Sequence, residues 1–178
     1  MSMNWYKIAQ TEQDLQDGSN LQSFLDSFGT PFYHGTDYKF NEFSLNTFGR
    51  TDQGFAGKGL YFTTNKGYAK EYGSNIREVY LDLQNPYIIN DSPSINPDYV
   101  KRELGLPITA TASDVTEKLQ SMGHDGVVVN YEFDDEFDGT SEGFETMVFS
   151  PSQVITKEQV VNDWKQSNPP QGEQGELV

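Results

Sequence analysis

The chain has 178 residues, no cysteine and a net charge of −15 at pH 7, with a pI near 4.3. Disulfides and thiolate metal sites are excluded, and broad salt-driven contact with a nucleic-acid backbone, which needs Lys and Arg, is disfavoured. Hydrophobic content of 35% with 13% aromatics suits one globular domain with long polar loops, and no run approaches the roughly 20 apolar residues of a membrane span.

Residues 1–30 read as an N-terminal segment and a helix packing on the domain, without the apolar core of a signal peptide. Leu15, Leu21, Phe24, Leu25 and Phe28 fall near helical spacing, and Gly29-Thr30-Pro31 stops the pattern. Phe32-Tyr33-His34-Gly35-Thr36 then leads apolar residues into a His and a Gly. A Gly there lets the backbone approach a ligand and leaves its amide and carbonyl for hydrogen bonding. Tyr38 to Phe48 alternates aromatic and polar residues and is expected to wrap past the site, while Arg50 to Lys58 reads as a loop over a cleft. Gly54, Gly57 and Gly59 do not make G-x-G-x-x-G, and no P-loop signature is present, so a Rossmann fold is rejected.

Leu60-Tyr61-Phe62-Thr63 predicts a buried strand, Asn65 an N-cap, and Gly67 to Tyr72 one or two helical turns stopped by Gly73. Ten residues separate Tyr61 from Tyr72. A strand, turn and helix of that length can bring two rings face to face, and ring faces attract a flat, positively charged heterocycle. Two core tyrosines in a chain with ten would read the same way. Ile76 to Leu83 and Tyr87 to Ile89 predict strands around an Asn85-Pro86 turn. Asp98 to Leu104 predicts a short helix, and Ser113 caps another that runs to Met122. Val127 to Val129 is a central strand and Tyr131 to Gly143 an acidic loop. Glu145 to Phe149 is the next strand, Val154-Ile155 adds a few paired residues, and Lys157 to Trp164 is a helix. Residues 167–178 have the composition of a disordered tail. The rhythm predicts an α+β fold of two packed, small, mostly antiparallel sheets with flanking short helices.

His34 in YHGT, Tyr61 and Tyr72 in GKGLYFTTNKGYAKEY, and Glu145 opening ETMVF together resemble the ADP-ribosyltransferase superfamily. Within it they resemble the His-Tyr-Glu class of toxin-like and poly-ADP-ribose-polymerase-like enzymes. The resemblance covers Phe32 to Ile155 and implies a catalytic domain over 31–166 with an NAD cleft between the sheets. It implies cleavage of NAD at the nicotinamide–ribose bond and transfer of one ADP-ribose to a macromolecule, expected to be a protein. In the roles it implies, His34 bonds the adenosine ribose and the Gly35 backbone holds the nicotinamide amide. Tyr61 and Tyr72 sandwich the ring, with Thr36 and Phe62 completing the NAD site. Glu145 stabilises the oxocarbenium-like transition state, and no metal is required. Ala69 stands where the polymerases carry a serine, and Gly143 where arginine-modifying members carry Glu or Gln, which points away from arginine as acceptor. The Gly123-His124-Asp125-Gly126 turn and the run from Glu145 through Pro151 to Gln153 look like small phage and bacterial members; a cytoplasmic setting is expected from the lack of a secretory segment.

Two other readings compete. Asp134, Glu136, Asp138, Gly139 and Glu145 match positions of a calcium loop, but a strand precedes them where a helix is needed, and Ser141 stands at an apolar position. A solvated acidic loop that helps choose the target is preferred. A chain at −15 would also suit a non-catalytic inhibitor on the basic surface of a nucleic-acid-binding partner. The same catalytic site with water as acceptor would make an NAD glycohydrolase.

Overall fold

A computed structural model of the chain describes residues 25, 26, 28–47, 54–90, 97–133 and 141–167, and only the backbone of 47, 131–133, 141 and 142. The expectations for 1–24, for 50–53 of the loop over the cleft, for the calcium-loop positions within 134–140 and for the tail beyond 167 lie outside these residues.

The β-branched run Val127-Val128-Val129 sets the architecture. It lies in β5 (Gly126–Phe133), and the period-two alternation of a strand sends Val127 and Val129 to one face and Val128 to the other. A strand apolar on both faces must be covered on both, which makes it central. Its neighbours are β4 (Tyr87–Ile89), running parallel, and β6 (Ser141–Val148), running antiparallel. β1 (Phe32–Thr36), β2 (Leu60–Thr63), β3 (Asn75–Leu81) and β7 (Val154–Thr156) complete the order β4-β5-β6-β2-β1-β3-β7.

The expected pair of sheets is therefore replaced by one hydrogen-bonded sheet of seven strands among the described residues. Tyr33 of β1 pairs with Thr63 of β2 and joins the two halves. That junction rests on one register pair, whereas β2 with β6 has four, β1 with β3 five and β5 with β6 eight.

One face carries a cluster of Ile89, Val127, Val129 and Met147 under Val100 of the first long helical stretch, Leu104 just after its end, and Val115 and Leu119 of the next. With α1 at Lys66–Ala69, these helices are α2 (Pro97–Glu103) and α3 (Ala112–Ser121). They form the crossover that a parallel β4–β5 pair requires. The other face carries Phe32, Leu60, Phe62, Val79, Leu81, Val128 and Val148, with Phe43 and Leu45 packed against them. Thr146, fully buried, points its hydroxyl into this apolar layer opposite Phe62 and Val128, and that hydroxyl has no hydrogen-bond partner. Val160 of α4 (Lys157–Ser167) packs with Leu25 and Tyr80 at the far edge.

Local chemistry accounts for several boundaries. Thr111, not Ser113, caps α3: its side chain accepts from the Asp114 amide and the Asp114 carboxylate accepts from the Thr111 amide, a reciprocal capping box. The acidic loop is shorter than expected, because the β5–β6 ladder continues to the pair Phe133 and Ser141. Cross-strand pairing carried the backbone past the point where apolar alternation ends. No helix among the described residues is long and apolar enough to cross a membrane.

Candidate active site

Beyond the pair Tyr33 and Thr63, β1 runs on through Gly35 and Thr36 with register partners on its β3 side. The sheet opens there into a cavity of about 330 Å³. His34, Gly35, Thr36, Tyr61, Phe62, Tyr72 and Glu145 all line it, so every site residue expected from the sequence meets one space.

His34 is half-buried among Phe40, Phe43 and Phe62, with ring centres 5.4–6.1 Å away. Its Nδ1 lies 2.8 Å from the Tyr61 carbonyl oxygen. A carbonyl accepts only, so Nδ1 carries the proton, and in the neutral ring Nε2 is an acceptor. Burial pushes the His34 pKa below 6.5, the Tyr61 carbonyl pulls it upward, and the neighbouring Arg77 charge lowers it again. The neutral ring is thus the favoured form.

Glu145 is 8% exposed in mid-strand on β6, opposite Thr63 on one side and Val129 on the other. The residue before it is clamped to the end of β2. The Phe144 amide donates to Thr64 Oγ1 at 2.9 Å, and the Thr64 amide donates to the Phe144 carbonyl at 3.0 Å. The strands β5 and β6 flank the 134–140 segment, where a calcium loop would need helices.

The GKGLYFTTNKGYAKEY stretch folds as its residues dictate. The Asn65 side chain caps α1 by accepting from the Tyr68 amide at 3.0 Å, and a 3-10 turn at Lys70–Tyr72 follows. Gly73 ends it at φ +149°, where a side chain would also collide with the backbone of Thr36 and Asp37. A methyl group at Gly35 would collide with the Ala69 carbonyl. The space read as room for a ligand is thus used, on the Cβ side of Gly35, by the close approach of α1 to β1.

A family model for the ADP-ribosyltransferase of polyvalent proteins matches residues 26–161. The chain belongs to that family of ADP-ribosyltransferases. The family uses NAD as substrate and implies a macromolecular acceptor. No curated protein matches the sequence. Among solved structures, the crystal structure of an anti-CRISPR protein is similar at 13% identity, covering 71% of this chain and 92% of its own, with a TM-score of 0.34.

The aromatic wall of this transferase cavity differs from the expected sandwich. Leu60 and Phe62 enter one apolar layer, so alternation turns Tyr61 to the opposite face. Its ring there lies 5.7 Å from Phe55, and its hydroxyl donates to the Gly57 carbonyl at 2.7 Å and accepts from the Ala56 amide at 3.1 Å. Tyr72 stands edge-on to Tyr68, with centres 5.4 Å apart, planes at 81° and hydroxyls 2.9 Å apart. Tyr68 also lines the cavity and was missed in the sequence, although its i, i+4 spacing from Tyr72 on a helical turn was the signal. Tyr38, Lys39, Phe40, Glu42, Phe43 and Ser44, from the Tyr38–Phe48 segment expected to wrap past the site, also line the cavity.

Proposed function

We propose that this protein is a mono-ADP-ribosyltransferase of the His-Tyr-Glu class. It cleaves NAD at the nicotinamide–ribose bond and passes ADP-ribose to a protein acceptor. The observation that carries this reading is the convergence of His34, Gly35, Tyr72 and Glu145 on one cavity in a chain of the ADP-ribosyltransferase family.

The side chains suit the task. Nε2 of neutral His34 accepts a hydrogen bond from a ribose hydroxyl, held in place by the Nδ1 contact with Tyr61. The backbone of Gly35, past the end of the β1–β2 pairing, binds the nicotinamide amide. Tyr72, steadied by Tyr68, supplies an aromatic surface for the ring. Glu145, buried and fixed by the Phe144–Thr64 clamp, meets the positive charge that develops on the ribose as neutral nicotinamide leaves. A preorganised carboxylate at that point is worth most in a water-poor site, because it needs no reorganisation during the reaction.

The test is nicotinamide release from NAD, with labelled NAD and candidate lysates used to trace the ADP-ribose. Glu145→Gln should lower the rate by about 10²–10³-fold while circular dichroism stays unchanged. Turnover in that variant equal to wild type would end the reading. Release of nicotinamide with no labelled macromolecule in any lysate would make water the acceptor.

A further inference from the structure

The cavity is poorly suited to an anion apart from one residue. Among the described residues that line it, Glu42 and Glu145 bring carboxylates and Lys39 is the sole Lys or Arg. The whole chain carries −15, so a phosphate group approaching this mouth is repelled unless a local cation compensates. Among the described residues, two cations beside the wall residues Phe40 and Tyr33 have other contacts. Arg77 donates to the Phe40 carbonyl at 3.0 Å, lies 5.3 Å from the Phe40 ring centre and is 3.7 Å from Glu158. The Lys66 ammonium lies 5.5 Å from the ring centre of Tyr33.

Lys39 is exposed and belongs to none of the ion pairs of the described residues. Its neighbours are fixed. The Ser74 amide donates to Asp37 at 2.9 Å, the Tyr38 amide donates to Thr36 Oγ1 at 3.1 Å, and Arg77 holds the Phe40 carbonyl. An anchored backbone thus presents a flexible ammonium at the cavity wall.

We propose that Lys39 is the anion subsite of this cavity and holds the diphosphate of the dinucleotide, an inference that rests on the NAD reading above. A point charge on a flexible stem suits diphosphate oxygens, which need no fixed bidentate geometry. Lys39 is a binding residue and takes no part in bond cleavage.

The full chain is titrated with NAD and with ADP-ribose by calorimetry, at low and at raised salt. Lys39→Gln should weaken both ligands roughly fivefold at low salt, and the gap should narrow as salt screens the contact. Lys39→Arg should bind like wild type. In turnover, Lys39→Gln should raise KM and leave kcat in place. Lys39→Gln binding ADP-ribose as tightly as wild type at low salt overturns this inference alone. Wild-type protein that binds neither ligand overturns the NAD reading and this inference with it.

Discussion

The β5–β6 ladder and the β1–β2 junction are separated by the β6–β2 pairing and differ in kind. β5 and β6 pair at eight register positions, and Val127, Val129, Met147 and Val148 between them are 0–1% exposed. β1 and β2 pair at one position, and residues on either side of it line the cavity. Backbone pairing and apolar packing are densest along the ladder, which gives the cavity Glu145 from the strand end nearest the junction. The sheet opens where an imidazole, a carboxylate and phenols gather. Stability and site are therefore largely separable: damage to the ladder should cost folding, and damage to the junction should cost chemistry.

The largest effect on stability is expected at Met147. Its side chain is buried opposite Tyr61 and Val127 under the α2 and α3 helices. Met147→Ala leaves a cavity in this layer and should destabilise the fold by about 2–5 kcal/mol, measured by urea unfolding. Nicotinamide release per folded molecule should change far less. A variant of wild-type stability would show that the ladder does not hold the fold together.

Gly35→Ala sharpens the comparison from the other side. The added methyl meets a backbone carbonyl, that of Ala69, which cannot rotate away as a side chain would. Overpacking of this kind costs about 1–3 kcal/mol, less than the loss at Met147. Tyr68, Ala69 and Tyr72 belong to the one turn that must move, and all three line the cavity. Turnover should therefore fall by more than stability does. Normal turnover with lowered stability would show that the junction tolerates displacement of that turn.

The same contrast explains what could be read from the sequence. β-branched and aromatic runs marked β2, β3, β4 and β5, and Asn65 and Gly73 marked the ends of the turn after β2, because those signals are local. The joining of all strands into one sheet was not legible, since it depends on a single non-local pair between Tyr33 and Thr63. The direction of Tyr61 was legible and was overlooked: with Leu60 and Phe62 both apolar, the residue between them must face the other way. The Gly123-His124-Asp125-Gly126 turn, noted as a family-like feature, serves as a clip. Asp125 accepts from the Gln84 and Asn85 amides. Gln153 donates to the Asp125 and Asp82 carbonyls and accepts from the Phe149 and Ser150 amides. That network ties the ends of β3, β5 and β6 together, and no local pattern announces which carbonyls a glutamine will reach.

The smallest effect is expected from pH, and it tests the assignment of the His34 proton. Burial holds the folded pKa of this ring below 6.5, and the Arg77 charge adds to the shift against the opposing pull of the Tyr61 carbonyl. Between the folded value and 6.5 the unfolded chain binds a proton that the folded chain does not, so stability rises with pH across that window. The contribution is complete above 6.5, is lost as pH falls towards the folded value, and levels off below it. Thermal unfolding of wild type and His34→Gln, compared from about pH 7.5 to about pH 5.5, separates this group from the carboxylates, which titrate mainly lower. Wild type should lose more stability than the variant over that interval, while nicotinamide release should persist until pH falls to the lowered folded pKa, because only there does the folded ring protonate and Nε2 cease to accept from a ribose hydroxyl. Parallel curves for the two proteins would mean that folding leaves the ring's affinity for its proton unchanged, contrary to the lowered pKa expected from its burial.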